Sequence, residues 1–217
     1  MSVMARTRVK ICGICRPQDA KTAVMAGADA IGMVFQTGAR RRVTIKQARE
    51  ILAVLPSAVS SIGLFVDADV AKIRKIASAL SLSAVQLHGS ESPATVAKLK
   101  PIPVIKRLDT KDLGRWRRRR LPNLIGILLD SPAGGGSGVT NDFAAIRKLQ
   151  KSGAFDGLPP LIVAGGLTAK NVAGVVKLLQ PFAVDVSSGV ESVVRQKSPA
   201  KIKAFLRAVR HADKRSR

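Results

Sequence analysis

Eight short apolar runs, each followed by a stretch with helical periodicity, constrain the fold of this chain more than any other feature of its sequence. The runs span 8–12, 30–35, 62–66, 84–87, 104–108, 125–129, 161–164 and 183–186. They are nearly continuous in apolar character and do not alternate with polar residues. This pattern indicates strands buried on both faces, and therefore a parallel sheet covered by helices.

The stretches between the runs space their apolar residues three and four positions apart, as amphipathic helices do. They span 17–26, 45–55, 70–80, 93–99, 143–151, 169–179 and 199–209, while 110–120 has the weakest helical pattern because arginines crowd it. An open doubly wound sheet of eight strands is one interpretation. A closed (β/α)8 barrel is the better one, because eight is the strand number of that fold and 217 residues lie within its size range.

The chain is expected to form one domain, because no linker rich in Pro, Gly or Ser divides it. We predict an α/β fold, a single (β/α)8 barrel with parallel strands and outer helices, over residues 1–217. The barrel itself is expected at about 8–210. A short basic tail is expected at about 211–217.

Charge is the unusual part of the composition. The chain carries 37 Lys and Arg against 14 Asp and Glu, a net charge of +23, with clusters at 115–120 and 211–217. An anionic macromolecule such as a nucleic acid therefore has to be considered as a partner. Against it, Trp116 is the single aromatic residue among the clustered arginines, and single-stranded nucleic acid is bound by stacking on several rings.

Three features of the sequence predict a cytoplasmic protein without a membrane segment. No apolar run approaches the roughly 18 residues that a membrane helix needs. The amino-terminal MSVMARTRVK has no apolar segment of the kind found in a secretory signal. Two cysteines separated by two residues form no disulfide framework, which favours a reducing compartment.

The active sites of (β/α)8 barrels lie at the carboxyl ends of the strands, so the residues that follow each run are the candidates for function. The first run ends at Cys12, which forms Cys-x-x-Cys with Cys15. A thioredoxin-like redox pair, half of a zinc site and a single functional thiol at Cys12 are the competing functional interpretations. The zinc site lacks partners, since only His88 and His211 accompany the cysteines. An inert buried cysteine is an equal alternative.

Polar and glycine residues follow four other runs. Asp130 ends the sixth run, and a buried carboxylate has to be paired or used, although a loop or capping role is the alternative. The glycine-rich segment 131–138 comes next and suits a flexible loop, a lid or a backbone anion site. The turns at 164–167 and 187–190 follow the seventh and eighth runs, where such barrels often hold a phosphate; tight connecting turns are the alternative. The loop 36–42 holds three arginines that are either solvated or placed to bind a carboxylate.

Taken together, these segments resemble the phosphoribosylanthranilate isomerase family, (β/α)8 enzymes of tryptophan biosynthesis. The matching segments are 9–14 (VKICGI), 27–35 (GADAIGMVF), 63–66, 84–89 (AVQLHG), 128–130 with 135–138, 164–167 and 181–191 (PFAVDVSSGVE). They cover nearly the whole chain in the order of the family. The chain departs from the family at Asn141, where an aromatic residue usually precedes Asp142.

The resemblance implies an Amadori rearrangement that converts N-(5-phosphoribosyl)anthranilate to 1-(o-carboxyphenylamino)-1-deoxyribulose 5-phosphate. By matching position, it implies that Cys12 is the general base, that Asp130 is the general acid and that Arg41 binds the anthranilate carboxylate. The residues that match the family's phosphate-binding loops are Gly136, Ser137, Gly138, Gly165, Gly166, Ser188 and Gly189. The implied reaction needs no metal and no organic cofactor.

Two other functions compete with the isomerase. One is a related phosphosugar isomerase of histidine biosynthesis, or a bifunctional enzyme; such barrels typically use two aspartates, and Cys12 argues against them. The other is a basic, nucleic-acid-associated barrel, which would explain the charge but not the intact site. We expect a small phosphorylated substrate, no specific nucleic-acid partner beyond weak binding at low salt, and a monomer or homodimer.

Overall fold

The computed structural model describes residues 6–117, 119–131 and 140–215, and its eight main strands close into a parallel barrel. The strands pair in chain order, and β1 closes the barrel against β8. The strands are β1 (Arg8–Ile11), β2 (Ala30–Val34), β3 (Ser60–Phe65), β4 (Ala84–Leu87), β5 (Val104–Arg107), β6 (Leu124–Leu129), β7 (Leu161–Val163) and β8 (Ala183–Val186). The predicted (β/α)8 barrel is therefore confirmed.

Each strand is followed by a helix that packs on the outside of the barrel. The helices are α1 (Pro17–Ala26), α2 (Ile45–Leu52), α3 (Val70–Ala79), α4 (Pro93–Lys98), α5 (Leu113–Arg117), α6 (Phe143–Lys151), α7 (Val172–Leu179) and α8 (Pro199–Arg215). The start of α2 is set by its sequence, because the Thr44 side chain accepts a hydrogen bond from the Gln47 backbone and the Gln47 side chain accepts one from the Thr44 backbone.

Local structure departs from the sequence predictions at several places. The segment 110–117 forms a 3₁₀ turn at Thr110–Asp112 and the short α5, because its charged residues leave only Leu113 and Trp116 of these eight residues to bury. Helix α7 starts three residues later than predicted, since the Asn171 side chain bridges Thr168 and Gly166 in a turn. A hairpin of β9 (Glu191–Val193) and β10 (Gln196–Lys197), absent from the predictions, lies between β8 and α8.

The expected basic tail is helical as far as Arg215. Ala212 is fully buried, and the Asp213 carboxylate accepts hydrogen bonds from the backbone N–H and the hydroxyl of Thr7. These contacts attach the end of α8 to the residue that precedes β1. Residues 211–215 therefore continue α8, because Ala212 supplies an apolar position that the arginine-rich composition concealed.

Two apolar layers hold the barrel. The larger lies between the strands and the helices, and the smaller fills the barrel interior. The interior layer consists of Ile62, Ala84, Ile105, Leu128, Ile162, Ala164 and Ala183. Since side chains alternate between the two faces of a strand, the residue two positions after an interior residue also points inward. Asp130 follows Leu128 in this way, at the carboxyl end of the barrel.

Candidate active site

A cavity of about 310 Å³ opens at the carboxyl end of the barrel. That volume is at the lower end of the range for small-molecule sites. Among the residues that line it are Cys12, Arg41, Asp130, Gly165, Gly166, Ser188 and Gly189. Every predicted site residue within the described part of the chain is therefore brought together. Gly136, Ser137 and Gly138 lie outside the described residues.

Cys12 follows β1, and its thiol is buried at the floor of the cavity. Its backbone N–H donates to the Val186 carbonyl at 2.8 Å, which extends the pairing of β1 with β8 up to the cavity. Burial raises the pKa of the Cys12 thiol, while the nearby ammonium groups of Lys10 and Lys197 lower it, and the balance stays above the usual value. The site therefore holds a desolvated thiol with two cations beside it.

Cys15 points to the neighbouring loop. Its thiol lies 3.4 Å from the Arg41 carbonyl oxygen and 3.6 Å from that of Gly13. Both cysteines are free. Within the described residues no group of three or more His, Cys, Asp and Glu side chains could hold a metal ion. The geometry thus favours the single functional thiol among the interpretations of the Cys-x-x-Cys motif.

Arg41 is fixed over the cavity by a carboxylate that the sequence analysis did not identify. Its Nε donates to Glu191 Oε1 at 2.8 Å and its Nη2 donates to Oε2 at 2.6 Å. Lys197 Nζ lies 3.1 Å from the same Oε1 and donates to the Ser187 carbonyl at 3.0 Å. Burial would raise the pKa of the Glu191 carboxyl, but the hydrogen bond from Arg41 and the charge of Lys197 hold it below its usual value. The carboxylate of Glu191 therefore anchors both cations.

Asp130 stands across the cavity from Cys12, at the end of β6. Its Oδ1 accepts a hydrogen bond from the Ser131 backbone at 2.8 Å, and its Oδ2 lies 3.3 Å from His88 Nε2. On the far side of the ring, Gln86 Nε2 lies 3.0 Å from His88 Nδ1. When the Gln86 amide donates to Nδ1, a neutral imidazole carries its proton on Nε2, facing Asp130.

Two turns rich in small residues form the rim on the other side of the cavity. Gly165 follows β7 with φ of +89°, and a Cβ there would lie 2.6 Å from the Ser131 backbone nitrogen. Gly189 lies in the 3₁₀ turn Ser188–Val190 after β8, and a Cβ there would lie 1.9 Å from the Leu167 carbonyl oxygen. Only glycine fits either position, because these turns pack closely against Ser131 and Leu167. Both turns line the cavity at the place where such barrels often hold a phosphate.

Comparison with known proteins decides the family. The profile described as N-(5'phosphoribosyl)anthranilate (PRA) isomerase matches residues 9–208. The chain belongs to this isomerase family. An N-(5'-phosphoribosyl)anthranilate isomerase from Pseudomonas fluorescens is 43% identical over 216 residues, which cover 97% of this chain and 99% of that protein.

Solved structures of phosphoribosylanthranilate isomerases match this chain over nearly its whole length. The crystal structure of the isomerase from Thermotoga maritima matches with a TM-score of 0.84 and 38% identity, and covers 94% of this chain and 99% of that one. An isomerase in complex with reduced 1-(o-carboxyphenylamino)-1-deoxyribulose 5-phosphate matches with a TM-score of 0.81 and 36% identity, over 94% of this chain and 99% of that one.

Sequence reasoning missed the side chains that surround the predicted site residues of this chain. They are Lys10, Gln86, His88, Asp185, Glu191 and Lys197. Lys10 and Gln86 lay inside predicted strands, and Glu191 and Lys197 lay beyond the last predicted strand. The alternation of side chains along a strand was the available signal, because Lys10 is two residues before Cys12 and therefore shares its face.

No helix in the described part of the chain is long and apolar enough to cross a membrane.

Proposed function

We propose that the protein catalyses the Amadori rearrangement of N-(5-phosphoribosyl)anthranilate to 1-(o-carboxyphenylamino)-1-deoxyribulose 5-phosphate in tryptophan biosynthesis, with Cys12 as base and Asp130 as acid. The observation that carries the proposal is the position of these two side chains in one cavity, at the ends of β1 and β6. An aldose–ketose rearrangement needs a group that donates a proton and another that removes one. The family of the chain supports the same reaction.

The reaction uses the two groups in turn. Asp130 donates a proton to the ribose ring oxygen, the bond from that oxygen to C1 breaks, and the nitrogen lone pair forms a protonated imine at C1. The imine acidifies the proton on C2, and the Cys12 thiolate removes it, which gives an enolamine. Tautomerisation places a hydrogen on C1 and leaves a ketone at C2. The substrate gains a proton from Asp130 and loses one to Cys12, and its oxidation at C2 is matched by reduction at C1. The reaction as proposed is therefore an isomerisation that needs no redox cofactor.

The rim groups bind the two charged ends of the substrate. Arg41 binds the anthranilate carboxylate through Nη1 and the second N–H of Nη2, since Glu191 engages Nε and the other N–H of Nη2. The phosphate binds to backbone amides of the turns after β7 and β8, which contain Gly165, Gly166, Ser188 and Gly189. Gly136, Ser137 and Gly138 complete the phosphate site in this proposal.

Steady-state turnover of phosphoribosylanthranilate by the purified protein tests the proposal, because the substrate's fluorescence falls as it reacts. We expect turnover without any added metal or cofactor. A parallel assay with the phosphosugar substrate of the histidine pathway separates the alternatives, since turnover of both substrates would show a bifunctional enzyme. Absence of turnover with phosphoribosylanthranilate would refute the proposed function.

The remaining expectations concern location and assembly. We infer a cytoplasmic location, because both cysteines are free thiols and a reducing compartment preserves them. We also expect a monomer or homodimer without a specific nucleic-acid partner. Light scattering at several protein concentrations measures the oligomeric state. A filter-binding titration with duplex DNA at physiological salt measures nucleic-acid binding.

A further inference from the structure

A buried ion pair beneath the active site has no part in the proposed acid–base steps. Lys10 Nζ lies 2.8 Å from Asp185 Oδ2, and the two side chains are only 4% and 7% exposed. The residues are neighbours in the parallel register of β1 and β8, so the closure of the barrel holds them side by side. Burying two charges is costly, and apolar residues in their place are often as stable or more so. Stability alone therefore gives no reason for this pair.

The geometry directs the ammonium of Lys10 towards Cys12. The two residues are separated by one position on β1 and its extension, so both side chains point into the barrel. They converge over Gly32 of β2: a Cβ on Gly32 would lie 2.9 Å from Cys12 Sγ and 3.0 Å from Lys10 Nζ. The missing side chain of Gly32 leaves the space towards which both the sulfur and the ammonium point.

We propose that Lys10 is a positioning residue whose ammonium, held by Asp185, stabilises the thiolate of Cys12. This inference rests on the proposed function, in which Cys12 removes the C2 proton. A thiol is a weak base until it ionises, and a cation in contact with the sulfur favours the ionised form. Asp185 contributes indirectly, because it fixes the ammonium and keeps it charged inside the barrel.

The other charges around Cys12 are consistent with this assignment. Burial works against ionisation of the thiol, and the carboxylate of Asp185 would by itself raise its pKa, so the largest favourable charge is that of Lys10. Lys197 on β10 also favours the thiolate. The charge of Cys12 raises the pKa of Arg41, which lies in the loop after β2. Burial opposes the charge of Lys10 as well, yet Asp185 and Cys12 hold the pKa of its ammonium above the usual value.

The test measures the Cys12 thiol directly, without substrate. In a Cys15→Ala background Cys12 is the only cysteine, so the rate of alkylation by iodoacetamide as a function of pH gives its pKa. We expect Lys10→Met to raise that pKa by about one to three pH units, the usual effect of removing an opposite charge at short range. Lys10→Arg keeps the charge and is expected to retain most of the effect.

Lys106→Met is the matched control. Lys106 is also a buried lysine in a barrel strand, paired with Glu91 at 3.1 Å, but it lies on β5 and is not among the charges that act on Cys12. The Lys106→Met substitution should leave the alkylation profile unchanged.

Should Lys10→Met fail to fold, Gly32→Ala provides a second test. It keeps every charge but places a Cβ 2.9 Å from Cys12 Sγ and 3.0 Å from Lys10 Nζ, so that the two groups have to move away from it, and it should raise the thiol pKa in the same direction.

The acid limb of kcat/KM against pH, measured in the same variants, should move with the alkylation profile. Identical alkylation profiles for Lys10→Met and Lys106→Met in folded protein, or no change in Gly32→Ala, would overturn the role of Lys10. Failure of the proposed function has a different signature. The Cys15→Ala protein would then turn over no substrate, while its alkylation profile would still respond to Lys10→Met.

Discussion

At the scale of single residues, the proposed site consists of two reacting groups and a set of charged neighbours that hold them. Cys12 is flanked by cations, and Asp130 receives a backbone hydrogen bond and faces His88. Steady-state kinetics therefore distinguishes the groups that transfer protons from the groups that bind the substrate. Removal of a proton-transfer group lowers kcat, while removal of a binding group raises KM.

Cys12→Ser and Asp130→Asn should each lower kcat by about 10² to 10⁴-fold, the usual contribution of general acid–base catalysis. Steady-state assays of purified variants measure the loss. Cys15→Ala is the control and should stay within a few-fold of the wild type, because Cys15 is not among the residues that line the cavity and its thiol contacts the backbone carbonyls of Gly13 and Arg41. A Cys12 or Asp130 variant with more than about a tenth of the wild-type kcat would remove that residue from the mechanism.

Arg41→Lys should raise KM by about tenfold or more while kcat changes less, because an ammonium cannot hold Glu191 with two parallel hydrogen bonds and also present a donor to the substrate. Glu191→Gln should raise KM in the same direction, since the amide can accept only one of the two bonds from Arg41. A fall in kcat at unchanged KM in both variants would argue that the arginine does not bind the substrate carboxylate.

At the scale of elements, the hairpin β9–β10 and helix α8 hold the segments outside the barrel strands in place. The hairpin supplies Glu191 and Lys197, and its turn residue Arg195 donates hydrogen bonds to the carbonyls of Arg40 and Arg42. It thereby fixes the loop that carries Arg41. Helix α8 attaches the end of the chain to Thr7 before β1, through Asp213.

Asp213→Ala should lower the melting temperature by a few degrees, because the loss of hydrogen bonds to a carboxylate costs about 1.5 to 3 kcal/mol and each kcal/mol lowers Tm by about 2 to 4 °C in a protein of this size. Calorimetry measures the shift. Turnover at a temperature where both proteins are folded should be unchanged, since Asp213 lies outside the cavity. An unaltered Tm would show that residues 211–215 add nothing to the stability of the barrel.

Glu191 should also give the folded state an acid-sensitive component of stability. Its pKa is lower in the folded protein than the usual value of about 4.3 expected for the unfolded chain. Such a group contributes its full stabilisation above the unfolded pKa and loses it as the pH falls through the folded pKa. Urea unfolding of the wild type and of Glu191→Gln between neutral and acid pH measures this, and the difference between them should shrink as the pH falls. A constant difference would contradict it.

At the scale of the whole molecule, the net charge of +23 bears on how the substrate arrives. The proposed substrate carries a phosphate and a carboxylate, so the field of the protein attracts it from a distance. The Debye length is about 10 Å at 0.1 M salt, and the attraction therefore fades as salt is added. We expect kcat/KM to fall with ionic strength while kcat changes little, as measured by steady-state kinetics over a salt series.

Neutralising the arginines of 117–120 tests the same field. Of these arginines, the described Arg117, Arg119 and Arg120 precede β6 and are not among the residues that line the cavity, so their neutralisation should weaken the salt dependence without abolishing turnover. Weak DNA binding at low salt should disappear at physiological salt, because it depends on counterion release. Tight, salt-resistant binding that this change abolishes would instead favour the nucleic-acid-associated barrel.

The sequence by itself determined the architecture and the places where chemistry could occur. Strand number and parallel pairing follow from local hydrophobic patterns, and Cys12 and Asp130 stand out because they end apolar runs. Boundaries were less accurate where a side chain in a turn, such as Asn171, decides where a helix begins. Helix α8 runs six residues past its predicted end at 209, because the one fully buried apolar residue among 211–215, Ala212, gives too little signal among charged neighbours.

Only the tertiary structure decided which charges accompany the predicted residues. Lys10 meets Asp185 across 175 positions of sequence, and Arg41 meets Glu191 across 150. Neither separation follows a helical or strand period, so no local pattern predicts these pairs. They exist because β1 closes the barrel against β8, and that closure brings residues from the beginning and the end of the chain to one site.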